Sequence, residues 1–284
     1  MDCVELVCGR RQPVSITLSV LAFFSFGTLL MGSPACWADD TDKAALLAKY
    51  QSHIFRSDDG QLPYRMLTPS KIDPGKTYPL VLFLHGAGER GDDNNSQLVH
   101  GASEFAKPAR REKFPAFVVF PQCPKEQRWV ESDWNLKSGK GQFPEQPSVP
   151  MQMSLELVDQ LLQSQPIDAD RCYITGLSMG GQGSWYAAVA EPKRFAAMLE
   201  VCGGGDPDWA PRYYGIPLWA FHGQADKVVP VDRGREMIVA LTQSGHTPEL
   251  RYVEYPGVGH DSWTRTFARD DVFDWLFSHT RTKQ

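Results

Sequence analysis

The sequence has no long basic run, no heptad pattern, no internal repeat and no low-complexity tract, so coiled coils, solenoids and disordered tails have no basis in it. Positive charge is also in short supply. The formal net charge of −5 at pH 7 argues against nucleic acid or an anionic membrane surface as the main partner. Cysteine is scarce: six in all, and Cys3, Cys8 and Cys36 fall within the first 38 residues. The remaining Cys123, Cys172 and Cys202 are an odd number on different segments, which predicts free, partly buried thiols and not a disulfide framework. The Cys and His spacings fit no structural or catalytic zinc pattern, so no metal site is expected.

The first 38 residues differ in character from the rest. Arg10 and Arg11 precede an apolar stretch, Val14 to Met31, which leads into Gly32-Ser33-Pro34-Ala35-Cys36-Trp37-Ala38. This layout predicts a signal peptide over residues 1–38, cleaved after Ala38, and a secreted or periplasmic protein with no stable membrane partner afterwards. An uncleaved anchor and a lipid-modified Cys36 are the alternatives. Residues 39–284 then have the length of a single catalytic domain.

Within that part, apolar runs alternate with helical patterns, which predicts an α/β fold with a mostly parallel sheet covered on both faces. The expected strands are Leu62–Leu67, antiparallel after the Asp58-Asp59-Gly60 turn, then Leu80–Leu84, Ala116–Phe120, Tyr173–Gly176, Ala196–Val201, Leu218–Phe221 and Leu250–Tyr255. Met151–Gln165 places Leu155, Val158, Leu161 and Leu162 on one apolar face before Pro166, the pattern of an amphipathic helix. A second helix is expected from Val231 to Ser244, closed by Gly245.

Between the Tyr173 strand and a helix-compatible stretch from Gln182 to Glu191 lies Thr175-Gly176-Leu177-Ser178-Met179-Gly180-Gly181. By composition alone a G-x-S-x-G run arises in roughly one chain in ten of this length, so its neighbours must carry the argument. A sharp strand-to-helix turn exposes a serine above the sheet end, and flanking glycines let the two backbones approach. Ser178 is therefore the candidate nucleophile. A serine hydroxyl is weak at neutral pH, and it needs a histidine to take its proton and an acid to fix the histidine's tautomer. Asp226 follows the apolar strand ending in Phe221-His222-Gly223, and His260 follows the last strand and Pro256-Gly257-Val258-Gly259. These two are the expected acid and base. Glu200, at the end of the Ala196 strand, is the chief rival acid, with Asp232 and Asp261 weaker. His85 and His222 sit at strand ends as hydrogen-bonding scaffold, while His53, His100, His246 and His279 lack that position. Developing negative charge on a carbonyl oxygen needs preorganised N–H donors. Met179 would give one, and Ala87 in Leu84-His85-Gly86-Ala87-Gly88-Glu89-Arg90-Gly91 the other, with Gly88 as the alternative. The aperiodic segment Pro121–Pro150 carries Trp129 and Trp134, which are expected to wall a substrate pocket, the alternative being that both only pin the loop to the surface. Glu89 and Arg90 would be either polar contacts near the substrate or an exposed ion pair.

With these pieces in place, Pro79 to Trp275 resembles the serine α/β-hydrolase superfamily, in particular a bacterial secreted carboxylesterase-like group that is also described as dienelactone-hydrolase-like, phospholipase/carboxylesterase-like or "predicted peptidase". The matching segments are the His85 loop, Phe120-Pro121-Gln122-Cys123-Pro124, Gly176 to Gly181, Phe221-His222-Gly223 with Asp226, and Gly259-His260-Asp261-Ser262-Trp263. The resemblance implies an α/β-hydrolase fold and cofactor-free hydrolysis of acyl compounds. The resulting expectation is a secreted serine hydrolase cleaving small-molecule or polymer-linked esters. Its alternatives are a serine peptidase of the prolyl-oligopeptidase superfamily, a feruloyl or acetyl esterase acting on polysaccharide-linked esters, and a non-catalytic binding protein on the same scaffold.

Overall fold

The computed structural model describes residues 4–7, 38–213, 215–245 and 249–281. In chain order these form β1 (Val4–Val7), α1 (Ala38–Leu47), β2 (Gln51–Ser57), β3 (Gly60–Leu67), β4 (Tyr78–Leu84), α2 (Ala102–Ala106), α3 (Pro108–Lys113), β5 (Phe117–Pro121), α4 (Val149–Ser164), β6 (Ile167–Leu177), α5 (Met179–Ala190), β7 (Ala197–Val201), β8 (Leu218–Gly223), α6 (Val231–Gln243), β9 (Leu250–Tyr255), α7 (Trp263–Ala268) and α8 (Asp270–Ser278). The predicted leader falls mostly on residues 8–37, which lie outside the described residues. Among the described residues, no helix is long and apolar enough to cross a membrane.

The strands make one sheet in the order β1-β9-β8-β7-β6-β4-β5-β3-β2. From β9 to β5 all neighbours are parallel, and β1, β3 and β2 join antiparallel at the margins. The reason lies in the strand sequences. Every residue of β4, Tyr-Pro-Leu-Val-Leu-Phe-Leu, is buried, as a strand covered on both faces requires. β2 buries only Phe55 and belongs at an edge.

Alternation along the strands divides the core into two layers. Leu80, Leu82, Leu84, Ile174 and Met198 face α4, α5 and α6, where Leu157, Val158, Leu161, Trp185 and Met237 pack. Val81, Phe83, Tyr173, Leu199, Trp219 and Phe221 face the other side, against Phe105, Phe267, Phe273 and Trp275 of α2, α7 and α8. α4 starts at Val149, two residues before the expected Met151, because Ser148 caps it, its Oγ accepting from the Met151 N–H at 3.4 Å. Cys123, Cys172 and Cys202 are free and fully buried, more so than the sequence suggested.

Strand order reverses between β4 and β6: the chain passes from β4 to β5 on one side and returns with β6 on the other. Loops leaving the carboxyl ends of two such strands diverge and leave a crevice above the sheet. The His85 loop leaves β4, and Ser178 follows β6.

Candidate active site

Ser178 links β6 to α5 at φ 54° and ψ −120°, a conformation few non-glycine residues adopt. Its N–H donates to the Val201 carbonyl at 2.9 Å, and its own carbonyl accepts from the Gln182 N–H at 3.0 Å. These bonds anchor the turn to β7 on one side and to the helix on the other. Close packing sets the flanking sequence. A Cβ on Gly180 would lie 1.9 Å from the Leu84 carbonyl oxygen, and one on Gly176 would lie 2.3 Å from that of Gly180. Only glycine lets α5 rest on the end of β4.

The chain brings Ser178, His260 and Asp226 together. His260 Nε2 is 2.8 Å from Ser178 Oγ, and His260 Nδ1 is 2.7 Å from Asp226 Oδ2. Asp226 Oδ1 accepts from the Val228 and Val229 N–H groups at 2.8 and 3.1 Å. Burial alone would raise the Asp226 pKa, but hydrogen bonds from His222, His260 and Val228 outweigh it and hold the carboxyl well below the usual carboxylate range. A permanently ionised acceptor at Nδ1 keeps the proton there and leaves Nε2 free to take one from the serine.

The loops carrying acid and base are laced together. Ala225 N–H donates to the Val258 carbonyl at 2.8 Å and Gln224 N–H to the Tyr255 carbonyl at 3.1 Å. A Cβ on Gly223 would strike the Gly259 carbonyl oxygen at 2.0 Å. The strand-to-loop turn after β8 therefore rests directly on the segment presenting His260.

The rival acid Glu200 is not the partner of His260 Nδ1; it lies under the first turn of α5, where its Oε1 accepts from the Gly203 N–H. Burial pushes its carboxyl up to about 7, against the opposing pull of His222 and of that N–H. Asp261 binds Thr264 at the start of α7, and Asp232 pairs with Arg235 at 2.9 Å. His85 is scaffold: its Nε2 accepts from the Cys123 N–H at 3.0 Å, and burial lowers its pKa to about 4.

Met179 is the first residue of α5, so its N–H has no carbonyl one turn back. Ala87 opens a short 3₁₀ turn with Gly88 and Glu89. Gly86, just before it, would bring an added Cβ within 3.6 Å of the Ser178 Cβ, which places this loop beside the nucleophile. Arg90 turns away, donating to the Ala87 and Gln127 carbonyls at 2.9 and 3.2 Å. Glu89 instead lies 3.6 Å from His100.

Trp129 is wholly buried, its indole N–H donating to the His85 carbonyl at 3.0 Å. Trp134 is half-buried with the Arg128 guanidinium 4.7 Å over its ring. The long segment holding both is fastened at several points. Ser148 Oγ donates to the Trp129 carbonyl at 2.8 Å, and Asp206 accepts from the Gly141 and Phe143 N–H groups at 3.0 and 2.8 Å. Fully buried Arg233 donates to the carbonyls of Asp133 and Gly205, each at 3.2 Å.

Sequence reasoning assigned no role to Trp263 and Cys202. The Trp263 ring stands edge-on to His260 at 5.2 Å and tilts against His100 at 5.1 Å, and it walls an open cleft of about 430 Å³ with His100, Glu104 and Phe267. Its place three residues after His260 was the available signal. Cys202 adopts φ 44° immediately after β7, and its thiol lies close to Asp226 and His260. Nothing in the sequence marks a cysteine for that backbone conformation.

The family described as putative esterase matches residues 59–251 of this chain. A solved thermostable esterase is 36% identical, with a TM-score of 0.76 over 84% of this chain and 64% of its own. An uncharacterized secreted protein of Arthroderma benhamiae is 25% identical over 256 residues, 75% of this chain and 25% of that protein. The probable feruloyl esterase C of Aspergillus terreus is 25% identical over 194 residues, 64% of this chain and 61% of that protein. The chain thus spans between about a quarter and three fifths of the length of the curated relatives it matches.

Proposed function

Because the chain belongs to the putative esterase family, we propose that it hydrolyses carboxylic esters through an acyl-enzyme formed on Ser178. The observation that carries this reading is the unbroken hydrogen-bond chain from Ser178 through His260 to Asp226 at a strained strand-to-helix turn. Ser178 Oγ attacks the ester carbonyl while His260 Nε2 takes its proton, and Asp226 stabilises the imidazolium that results. The Met179 and Ala87 N–H groups, with the positive end of α5, receive the oxyanion. His260 then protonates the departing alkoxide. A water molecule, deprotonated by the same nitrogen, releases the acid.

The substrate we infer is a compact acyl or phenolic ester, free or linked to a polysaccharide. The resemblance to a probable feruloyl esterase supports this, as do the aromatic groups around the site. In this reading Trp134 and the segment carrying it wall the pocket. Trp129 acts from beneath, holding that wall to the His85 carbonyl. The secreted relative and the leader-like residues 1–38 support export and a mature chain starting at Asp39.

The test compares the purified protein with Ser178→Ala on p-nitrophenyl acetate, feruloyl esters and matched peptide amides. Amides expel an amine only when it is protonated in time, which demands extended binding of the chain. Esters should therefore be preferred by at least about a hundredfold in kcat/KM, roughly 2.7 kcal/mol. Ser178→Ala should abolish turnover and labelling by a fluorophosphonate. Comparable rates on esters and amides would move the assignment to peptidase, and retained activity in the alanine variant would remove the nucleophile.

A further inference from the structure

The carboxylate of Asp226 faces two imidazoles. Its Oδ2 lies 2.7 Å from His260 Nδ1 and 3.4 Å from His222 Nε2. His222 is wholly buried, and the same Nε2 is 3.0 Å from the Val229 carbonyl oxygen. Two acceptors around one ring nitrogen require that nitrogen to carry the proton in either charge state; its N–H bonds the Val229 carbonyl and lies within ion-pair distance of Asp226. Its Nδ1 makes no hydrogen bond and faces the backbone of Gly234 on α6, close to the equally unbonded hydroxyl of Tyr252 on β9.

Register brings a second carboxylate into this buried space. Glu200 of β7 pairs with Ala220 of β8, and His222 lies two residues further along β8 on the same face. Glu200 pairs on its other side with Gly176, and a Cβ on Gly181 or Gly203 would lie 2.7 Å from its Oε1, so these two glycines leave the carboxyl room beneath the nucleophile turn. Glu200 Oε2 is buried and has no hydrogen-bond partner. From β9, Glu254 is the register partner of His222, but Arg235 of α6 binds it at 2.7 Å. Cys202, which follows β7, stays a thiol because burial lifts its pKa well above the usual value. The groups left to act on His222 are therefore Asp226 throughout and Glu200 where it is ionised, its carboxyl being pushed up to about 7 by burial.

We propose that His222 is a positioning residue that sets how strongly Asp226 supports His260, and that Glu200 sets the charge on His222. A protonated His222 shares the negative charge of Asp226 and leaves less of it for the His260 imidazolium. Burial opposes charge on His222, but the bond to Asp226, the charge of Glu200 and the Val229 carbonyl together raise its pKa above the ordinary histidine value. This inference rests on the ester-hydrolase reading only for its kinetic readout.

The test follows the ring protons of His222 and His260 by NMR in the full chain from about pH 5 to 9, alongside the acid limb of kcat/KM on p-nitrophenyl acetate. The variants are Glu200→Gln and His222→Gln, the latter keeping a side-chain N–H for Asp226 without the capacity for charge. In wild type, His222 should titrate above a free imidazole. In each variant His260 should titrate about one pH unit higher, the acid limb should move with it, and kcat should stay within about tenfold. The double variant should show the same shift as either single one, because both act through one charge. An unmoved His260 midpoint in a folded variant overturns the proposal. So does a His222 that stays neutral throughout in wild type, a measurement that needs no variant to fold. Movement of the His260 midpoint in a protein that cleaves no ester would refute the ester reading and leave this inference standing.

Discussion

Gly180→Ala is the sharpest test of how the nucleophile is held. The added Cβ would lie 1.9 Å from the Leu84 carbonyl oxygen, 2.4 Å from its carbon and 2.7 Å from the His85 carbonyl oxygen. All three are backbone atoms, so no rotamer change relieves the contact. Non-bonded atoms need more than about 3 Å, which forces α5 and the end of β4 apart by roughly 1 Å. That displacement separates Ser178, at the head of α5, from the Ala87 loop leaving β4. Alanine is the better helix former by about 1 kcal/mol, which offsets part of the penalty. Overpacking of this kind costs about 1–3 kcal/mol, so a net loss of up to about 2 kcal/mol is expected, at some 2–4 °C in Tm for each kcal/mol. Misplacement of reacting groups by about 1 Å costs about a hundredfold in rate. The signature is thus a small loss of stability with a large loss of kcat/KM, read from p-nitrophenyl acetate kinetics and a thermal melt. Gly259→Ala is the control, since a Cβ there meets nothing within 4 Å although the residue adjoins His260. It should stay within about threefold of wild type. If Gly180→Ala does the same, close packing does not set the geometry of the elbow.

Asp226→Asn should lower kcat by about 10³-fold or more with the fold intact, because an amide can present its N–H to His260 and select the wrong tautomer; activity within tenfold of wild type, measured on the same ester, would reject the assignment. His85 has its folded pKa lowered to about 4 against an unfolded value of about 6.5, so between those values the unfolded chain binds the extra proton and folding weakens as pH falls. Urea unfolding should show roughly 2 kcal/mol less stability at pH 5 than at pH 7 from this residue, and His85→Gln should flatten the slope; an equal slope in both proteins would refute it. N-terminal sequencing of the protein from its producing cell should begin at or near Asp39, and an intact chain in the cytosol would contradict the export reading.

The catalytic chain was legible because the constraints on it are local. A strained turn needs glycines at fixed offsets from Ser178, and Asp226 and His260 each follow an apolar strand. What was not legible depends on partners distant in sequence. β2 escaped notice since its outer face is solvated and only Phe55 is buried, leaving no apolar alternation. β6 begins at Ile167, earlier than expected, because Asp168, Asp170 and Arg171 have the composition of a loop although they continue the strand. Whether an aromatic residue in an aperiodic segment faces solvent or core is likewise a question of tertiary contacts. Trp129 sits beneath the segment because the His85 carbonyl, 44 residues away, offers its indole an acceptor. The pairing of His222 with Asp226 was hidden for the same reason, as the sheet register that brings Glu200 beside them is set by β7 and β8 together.

The interlocked loops after β8 and β9 also govern when the triad is complete. A chain emerging during synthesis acquires its serine first, then its acid, and its base only after the last strand of the sheet. Until β9 docks beside β8, the loop carrying His260 is not laced to the loop carrying Asp226, and the triad stays incomplete. Docking pairs Leu218 of β8 with Leu250 of β9, so the base is placed only when the sheet gains this strand. Regain of hydrolysis during refolding should therefore appear no earlier than the docking of β9, which makes the onset of activity a property of strand order itself.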